Sequence, residues 1–433
     1  NDQPFLNLIR QVSGVQSVIK AEAQATCFGP GLARVFAARS PRAVPFRPYR
    51  RGKTLGQIYQ VTPDDGFYAN TYYDVNPWSP SGRFLAVTRF PFQDRTARLG
   101  DVAEACVIDL ENQTLRSLYS TRAWGYQLGA ILEWGDTDDH LYTNDVLADG
   151  TTVCVQIDCR TGVSLLYSGA KYSLSADATF AVAPDMAQLN RTQYAYGPPA
   201  ADPDHLPPLE INHRDQNGLW RLDLATDRQH LALNYAAAVA VQEDPSYYDG
   251  GGYTFFHTKI SPDNREIMLV GRCTFPEHIT KQDPAKRGRN TSLMVAGANG
   301  GDLRLLVSRR QWDEGGHHPN WHPNSRSLIM NLTPTWLGEP AVMRFCQFGA
   351  DGSDFRILSS TVEGSGHPSI DPTGRFLLAD AYPMEKQFAR RYWGASKLDA
   401  HPVWSRDGRQ VCFNGAPEGS RQVFIADLNG VLG

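Results

Sequence analysis

Four of the eleven histidines in this chain stand at one recurring position. His257, His318, His367 and His401 each lie three residues ahead of an Ile or Trp, in HTKI, HPNW, HPSI and HPVW. A neutral imidazole offers one lone pair of intermediate softness, so several converging on a point suit a divalent transition metal. All-nitrogen ligation favours manganese or zinc over magnesium, and a nearby carboxylate such as Glu314 brings calcium into the range. The competing reading is that the HP dipeptides cap turns. His317 and His322 fall outside the register and read as turn and surface residues.

Convergence requires elements that repeat around an axis, and the sequence contains such repeats. NPWSPSGRFLAVTRF (76–90), HTKISPDNREIMLVGR (257–272), HPNWHPNSRSLIMNL (318–332), HPSIDPTGRFLLADAY (367–382) and HPVWSRDGRQVCFNG (401–415) align. Each gives an aromatic residue or Ile, a Ser, Asp or His, a Gly or Asn turn, a basic residue and an alternating apolar strand. That is a β-hairpin signature. Weaker copies stand at 131–145 and 172–185, and further strands trail several copies, as at 104–119 and 218–233. Seven hairpin units of this kind predict an all-β protein, a seven-bladed β-propeller. The last blade lacks a strand, which GQIYQVT (56–62) is predicted to supply beside RQVFIADLNG (421–430), closing the ring. Residues 1–55 form an N-terminal extension whose opening segment has helical spacing, and residues 56–433 form the propeller.

Composition narrows the function. Formal net charge is −4 with both signs interspersed, and no basic stripe points to nucleic acid or a membrane surface. No apolar run approaches the roughly 18 residues of a spanning helix. The first residue is Asn, so a processed start is expected and an extracytoplasmic location is favoured over a cytoplasmic one. Of seven cysteines, Cys154 and Cys159 flank VQID and could pair; the rest read as buried thiols. Four glycosylation sequons, at Asn112, Asn190, Asn290 and Asn331, are no more than chance supplies. NGG at 299–301 and DGGG at 249–252 read as turns.

The repeats GHPSIDPTGRFLLADAYP and HPVWSRDGRQVCFNG resemble the C-terminal blades of propeller polysaccharide lyases, above all oligogalacturonide lyases, with ulvan lyases sharing the architecture. The resemblance covers most of the chain after about residue 65. It implies a metal held by histidines and a Gln at the channel mouth, with an Arg and a His ahead of the first ligand as substrate clamp and base. Here Arg191 in LNRTQYAYG and His213 in INHRDQNG precede His257 in that order, and Gln311 is the nearest counterpart of the Gln. The ulvan-type branch implies His, Tyr and Arg from the same region. Tyr194, Tyr196 and Arg214 fit those roles, while Gln127 and Asn144 stand where that branch places further histidines.

The resemblance therefore implies β-elimination on an acidic oligo- or polysaccharide containing a 4-linked uronate. Removing the C5 proton needs a cation against the uronate carboxylate and a base of near-neutral pKa, and the departing oxygen needs an acid. A channel metal with Arg191 or Arg214, then His213, then Tyr196 supply those jobs. Two other classes compete. A glycoside hydrolase needs a carboxylate pair, for which Asp74, Asp145, Asp249 and Glu314 are available without a repeating pattern. A non-catalytic TolB-like propeller scaffold has no use for four imidazoles on one axis.

Overall fold

The computed structural model describes residues 32–35, 40–49, 54, 56–192, 195–199, 213–275, 290–381 and 398–432. They build an all-β propeller: six antiparallel sheets of four or five strands and one further sheet of two, Ser369–Ile370 with Leu377–Leu378. The first sheet begins at Phe67–Ala69, the second at Glu133–Trp134, the third at Ser173–Leu174, the fourth at Gly252–Ile260 and the fifth at Gly316–Trp321. The two-stranded sheet comes sixth, and the seventh begins at Val403–Trp404.

The same hairpin opens every sheet. Trp78 faces Leu85, Trp134 faces Leu141, Leu174 faces Ala181 and Ile260 faces Ile267. Trp321 likewise faces Leu328, Ile370 faces Leu377 and Trp404 faces Val411. Its turn chemistry explains the repeated Ser or Asp. The side chains of Ser79, Ser175, Ser261, Asp371 and Ser405 accept the backbone N–H of Phe84, Phe180, Glu266, Phe376 and Gln410, at 2.6–3.2 Å. Three residues after each, the backbone turns left-handed, at Gly82, Ala178, Asn264, Gly374 and Gly408. Gly and Asn enter that region at least cost, and a side-chain oxygen closes the turn locally.

The ring closes as the sequence predicts. Gln57–Gln60 pairs antiparallel with Gln422–Asp427, from Gln60 opposite Phe424 to Gln57 opposite Asp427. Behind this seam, Tyr68, Trp78, Leu85, Val87 and Ile108 of the first sheet pack on Val403, Cys412, Val423 and Ile425 of the seventh. Burying side chains of this size stabilises by about 1.5–3 kcal/mol each.

The extension runs along the rim. Its described residues form strands that add to outer edges: Leu32–Val35 on the second sheet, Arg42–Ala43 on the first and Arg47–Tyr49 on the seventh. The predicted helical segment lies outside the described residues. Arg42 pairs with Asp65, and Arg47 with Asp64, fastening this belt to the rim. The Cys154–Cys159 pairing that the sequence allowed is not formed, and the six cysteines among the described residues are free thiols. Cys154 lies within the strand Thr152–Asp158 and Cys159 in the turn after it. Among the described residues no helix is long and apolar enough to cross a membrane.

Candidate metal and catalytic site

Three residues before each hairpin's facing residue comes a position shared by all seven sheets: Val75, Ile131, Lys171, His257, His318, His367 and His401. Sheets four to seven thus carry the imidazoles and sheets one to three do not. Ile131, His257, His318 and His401 have positive φ, at 50°, 49°, 54° and 44°. Strand register slips between Phe256 and Lys259 and between His317 and Asn320, a bulge at each histidine. A bulge with a left-handed residue breaks the alternation of the strand and re-aims one side chain. Holding a non-glycine there costs of order 1–3 kcal/mol, and such strain collects at functional sites.

The re-aimed rings meet. His318 and His367 lie 3.9 Å apart between centroids, and His367 and His401 lie 4.6 Å apart. Asp399, two residues before His401, joins His367 and His401 in a group whose ligand atoms lie within 4.8 Å of one another. His257 is set off from that group by Tyr72, whose ring stacks on it at 5.2 Å and meets His401 edge-on at 4.4 Å. Tyr73 fills the next space, 4.9 Å from His367 and 5.8 Å from His318, and its hydroxyl donates to the Pro319 carbonyl at 2.8 Å.

Neighbours set the free nitrogen of two of the rings. His367 Nδ1 lies 2.9 and 3.0 Å from the Asp380 oxygens, and the same carboxylate accepts the His367 backbone N–H at 2.7 Å. His318 Nδ1 lies 2.7 Å from the Gly366 carbonyl, which can only accept. Both rings therefore carry their proton on Nδ1 and leave Nε2 as the lone pair, the arrangement typical of a metal-ligating histidine. Burial, reinforced by the neighbouring imidazoles, pushes His318 well below its ordinary pKa and keeps it neutral. Imidazole donors with one carboxylate fit a borderline divalent ion such as manganese or zinc.

His317 is not the surface residue expected. It pairs with Asn331 across its strand, its ring lies 4.6 Å from His318, and burial pushes it down to about 4. Gln311 is no ligand either: it completes a helix capping box with Ser308. Asn144 lies fully buried, with both amide atoms on the Lys171 backbone at 2.7 and 2.8 Å. It belongs to a column three residues beyond the second-strand partner of each facing residue, polar in five of the seven sheets. In that column Thr88 accepts from Ala130 N–H, Asn331 donates to the Gly366 carbonyl and Asn414 accepts from Asn70 N–H. These bonds join one sheet to the chain entering the next, whereas Asp380, the sixth sheet's member, bonds His367 within its own sheet. Gln127 is buried, and its backbone N–H donates to the Ala195 carbonyl at 3.1 Å.

The remaining expected residues divide. Tyr196 reaches the cluster, its hydroxyl 3.3 Å from that of Tyr72. His213 is exposed, with φ 73°, ahead of the third strand of its sheet. Arg214 is half-buried, and one terminal nitrogen donates to the carbonyls of Tyr248 and Gly251, the latter at 2.7 Å. Tyr194 and the side chain of Arg191 lie outside the described residues. The sequence reading missed Tyr72, Tyr73, Asp399, Lys259 and Arg272, and named Asp74 only as a carboxylate for hydrolysis. Asp74 is buried against Lys259 Nζ at 3.1 Å, and Arg272 lies over the Phe256 ring at 4.2 Å. The TYYD run directly before the first repeat was the available signal.

No family model matches this chain, and no curated protein does. Solved structures do. An oligogalacturonate lyase in complex with manganese aligns over 90% of this chain and 97% of its own, at 15% identity and a TM-score of 0.60. The oligogalacturonate lyase of Vibrio parahaemolyticus aligns over 90% and 98%, at 12% identity and a TM-score of 0.59. At such identities the likeness establishes the propeller fold.

Proposed function

We propose that this protein is a carbon–oxygen lyase that cleaves a 4-linked uronic-acid glycoside by metal-assisted β-elimination, acting on an acidic oligo- or polysaccharide. The carrying observation is the convergence, from successive sheets, of His367, His401 and Asp399, with His318 against His367 on a strained bulge. The likeness over nine-tenths of the chain to an oligogalacturonate lyase in complex with manganese supports it. The two-stranded sheet counts in this reading as a seventh blade, because it carries the same hairpin and a histidine at the shared position.

His367, His401 and Asp399 are the residues proposed to hold the ion, with His318 beside them. When bound, a divalent cation supplies positive charge against the uronate carboxylate while C5 loses its proton. The chain's own groups do the rest. Lys259 and Arg272 outnumber Asp74 in the buried region beside Tyr196 and His257, which favours an anionic sugar there. Tyr196 stands at the cluster and His213 on an exposed stretch, so proton transfer lies between those two. A hydrolase reading is weaker, since Asp74 is held by Lys259 and Asp145 by Tyr119 and Arg122.

Two measurements test the proposal. Metal analysis of the purified protein is expected to find a stoichiometric divalent ion, manganese or zinc first. Digestion of a panel of uronic-acid polymers is expected to give products with the ultraviolet absorbance of a C4–C5 double bond. Saturated products with new reducing ends would make it a hydrolase, and no product on any polymer would leave a scaffold.

A further inference from the structure

A line of four side chains runs from the interior to the edge of this cluster. Asp74 Oδ2 lies 3.5 Å from His257 Nδ1, an ion-pair distance longer than a good hydrogen bond. On the far side of that ring, Nε2 lies 3.5 Å from the Tyr72 hydroxyl, which in turn lies 3.3 Å from that of Tyr196. Tyr72 and the Asp74 side chain are 1% exposed and His257 is 3% exposed, whereas Tyr196 retains 7%. The chain therefore has a buried end and an end nearest to solvent.

Its buried end sets the direction of its hydrogen bonds. Burial opposes ionisation of Asp74, yet Lys259 and His257 hold its carboxyl below the ordinary value, so it is an anion. An anion beside Nδ1 favours the proton on that nitrogen. With the proton on Nδ1 facing Asp74, Nε2 bears the lone pair on the side of the Tyr72 hydroxyl. Tyr72 can only donate to that lone pair, and its oxygen can then only accept from Tyr196. Tyr196 thus turns its O–H inward and its lone pairs outward.

We propose that Tyr196 is the catalytic residue that accepts the C5 proton, and that Tyr72, His257 and Asp74 are positioning residues that fix it in that role. This rests on the lyase reading above and names the base within it. The C5–H bond breaks and its proton joins the Tyr196 oxygen. The electron pair left at C5 forms the C4–C5 double bond as the C4–O bond to the leaving sugar breaks. The former Tyr196 proton passes to Tyr72, and that of Tyr72 to His257 Nε2, so a single positive charge comes to rest beside Asp74. The departing oxygen keeps its electron pair and takes a proton from water.

Nitrogen-15 NMR of metal-free protein with labelled histidine, assigned with His257→Gln, reads the direction without any assay of turnover. Wild type is expected to show His257 protonated at Nδ1, with an Nε2 resonance that Tyr72→Phe moves toward that of an unbonded acceptor. A proton on Nε2 overturns the proposal. In turnover, Tyr196→Phe is expected to lose at least about 10²-fold in kcat, within the range for a general base. Tyr72→Phe is expected to lose at least about tenfold in kcat with KM and metal content unchanged. Loss in His213→Ala with activity kept in Tyr196→Phe moves the base to His213 and overturns it. Should wild type form no unsaturated product from any uronate polymer, the lyase reading fails, and the tautomer alone decides whether the chain of hydrogen bonds stands.

Discussion

Asp380 does two things at once: it accepts the His367 backbone N–H and it faces the ring Nδ1. Replacing it by Asn keeps the shape but removes the negative charge that makes Nε2 a strong donor. Asp380→Asn is therefore expected to weaken manganese or zinc binding by about 10–100-fold, the usual effect of such an outer partner, as read by calorimetry. Thermal stability should change little beside that of His367→Ala. Gly366, just before the histidine, has φ 59°, and a Cβ there would overlap the Asp380 carbonyl. Gly366→Ala should lower both the melting temperature and the metal affinity, because it displaces the carboxylate that orients the ring. A variant that binds metal as wild type does would show that Asp380 does not set the donor.

The hairpins were legible because their instructions are local. A Ser or Asp oxygen, a left-handed residue three positions on and an alternating strand all fall within ten residues, and they recur. The polar column of Thr88, Asn144, Asn331, Asp380 and Asn414 was legible too, since aligning the second strands shows it in otherwise apolar runs. Reading Asn144 for chemistry missed its work between sheets. Asn331→Ala should cost about 1–3 kcal/mol in denaturant unfolding by leaving buried groups short of a partner. Tyr72, Tyr73 and Asp399 could not be found this way, because they meet the histidines across the ring and follow no period. Loops set the acid behaviour of the fold. Burial works against ionisation of Asp109, but hydrogen bonds from Arg83 and the Asn112 N–H hold it down at about 2. A depressed carboxylate stabilises above its unfolded pKa and loses that contribution as pH falls through the folded one. Asp109→Asn should therefore melt below wild type at pH 5–7, with the gap closing between about pH 4 and 2.

At the scale of the whole molecule, the described sheets hold one another through apolar cores and the column of polar bonds, with no disulfide among the described residues. Reductant should leave the melting temperature unchanged, because the described thiols are unpaired; a fall would reveal a bridge involving Cys27. Deleting residues 1–46 removes two belt strands and leaves the seam strand Gln57–Gln60 in place. Such a variant should still form the ring but unfold at least about tenfold faster, roughly 1.4 kcal/mol of barrier. Stopped-flow dilution into denaturant measures it, and an unaltered rate would show that the outer strands carry no load.

The seam also fixes an order of events while the chain is being made. Gln57–Gln60 emerges early, yet its partner Gln422–Asp427 emerges more than three hundred and fifty residues later. Until then one edge of that strand has nothing to pair with, and an exposed edge invites other chains. Arg47–Tyr49 lies close by in sequence and covers the opposite edge, so the waiting strand already belongs to a small hairpin. The ring thus begins as half of its own final joint, kept in reserve until the last sheet arrives.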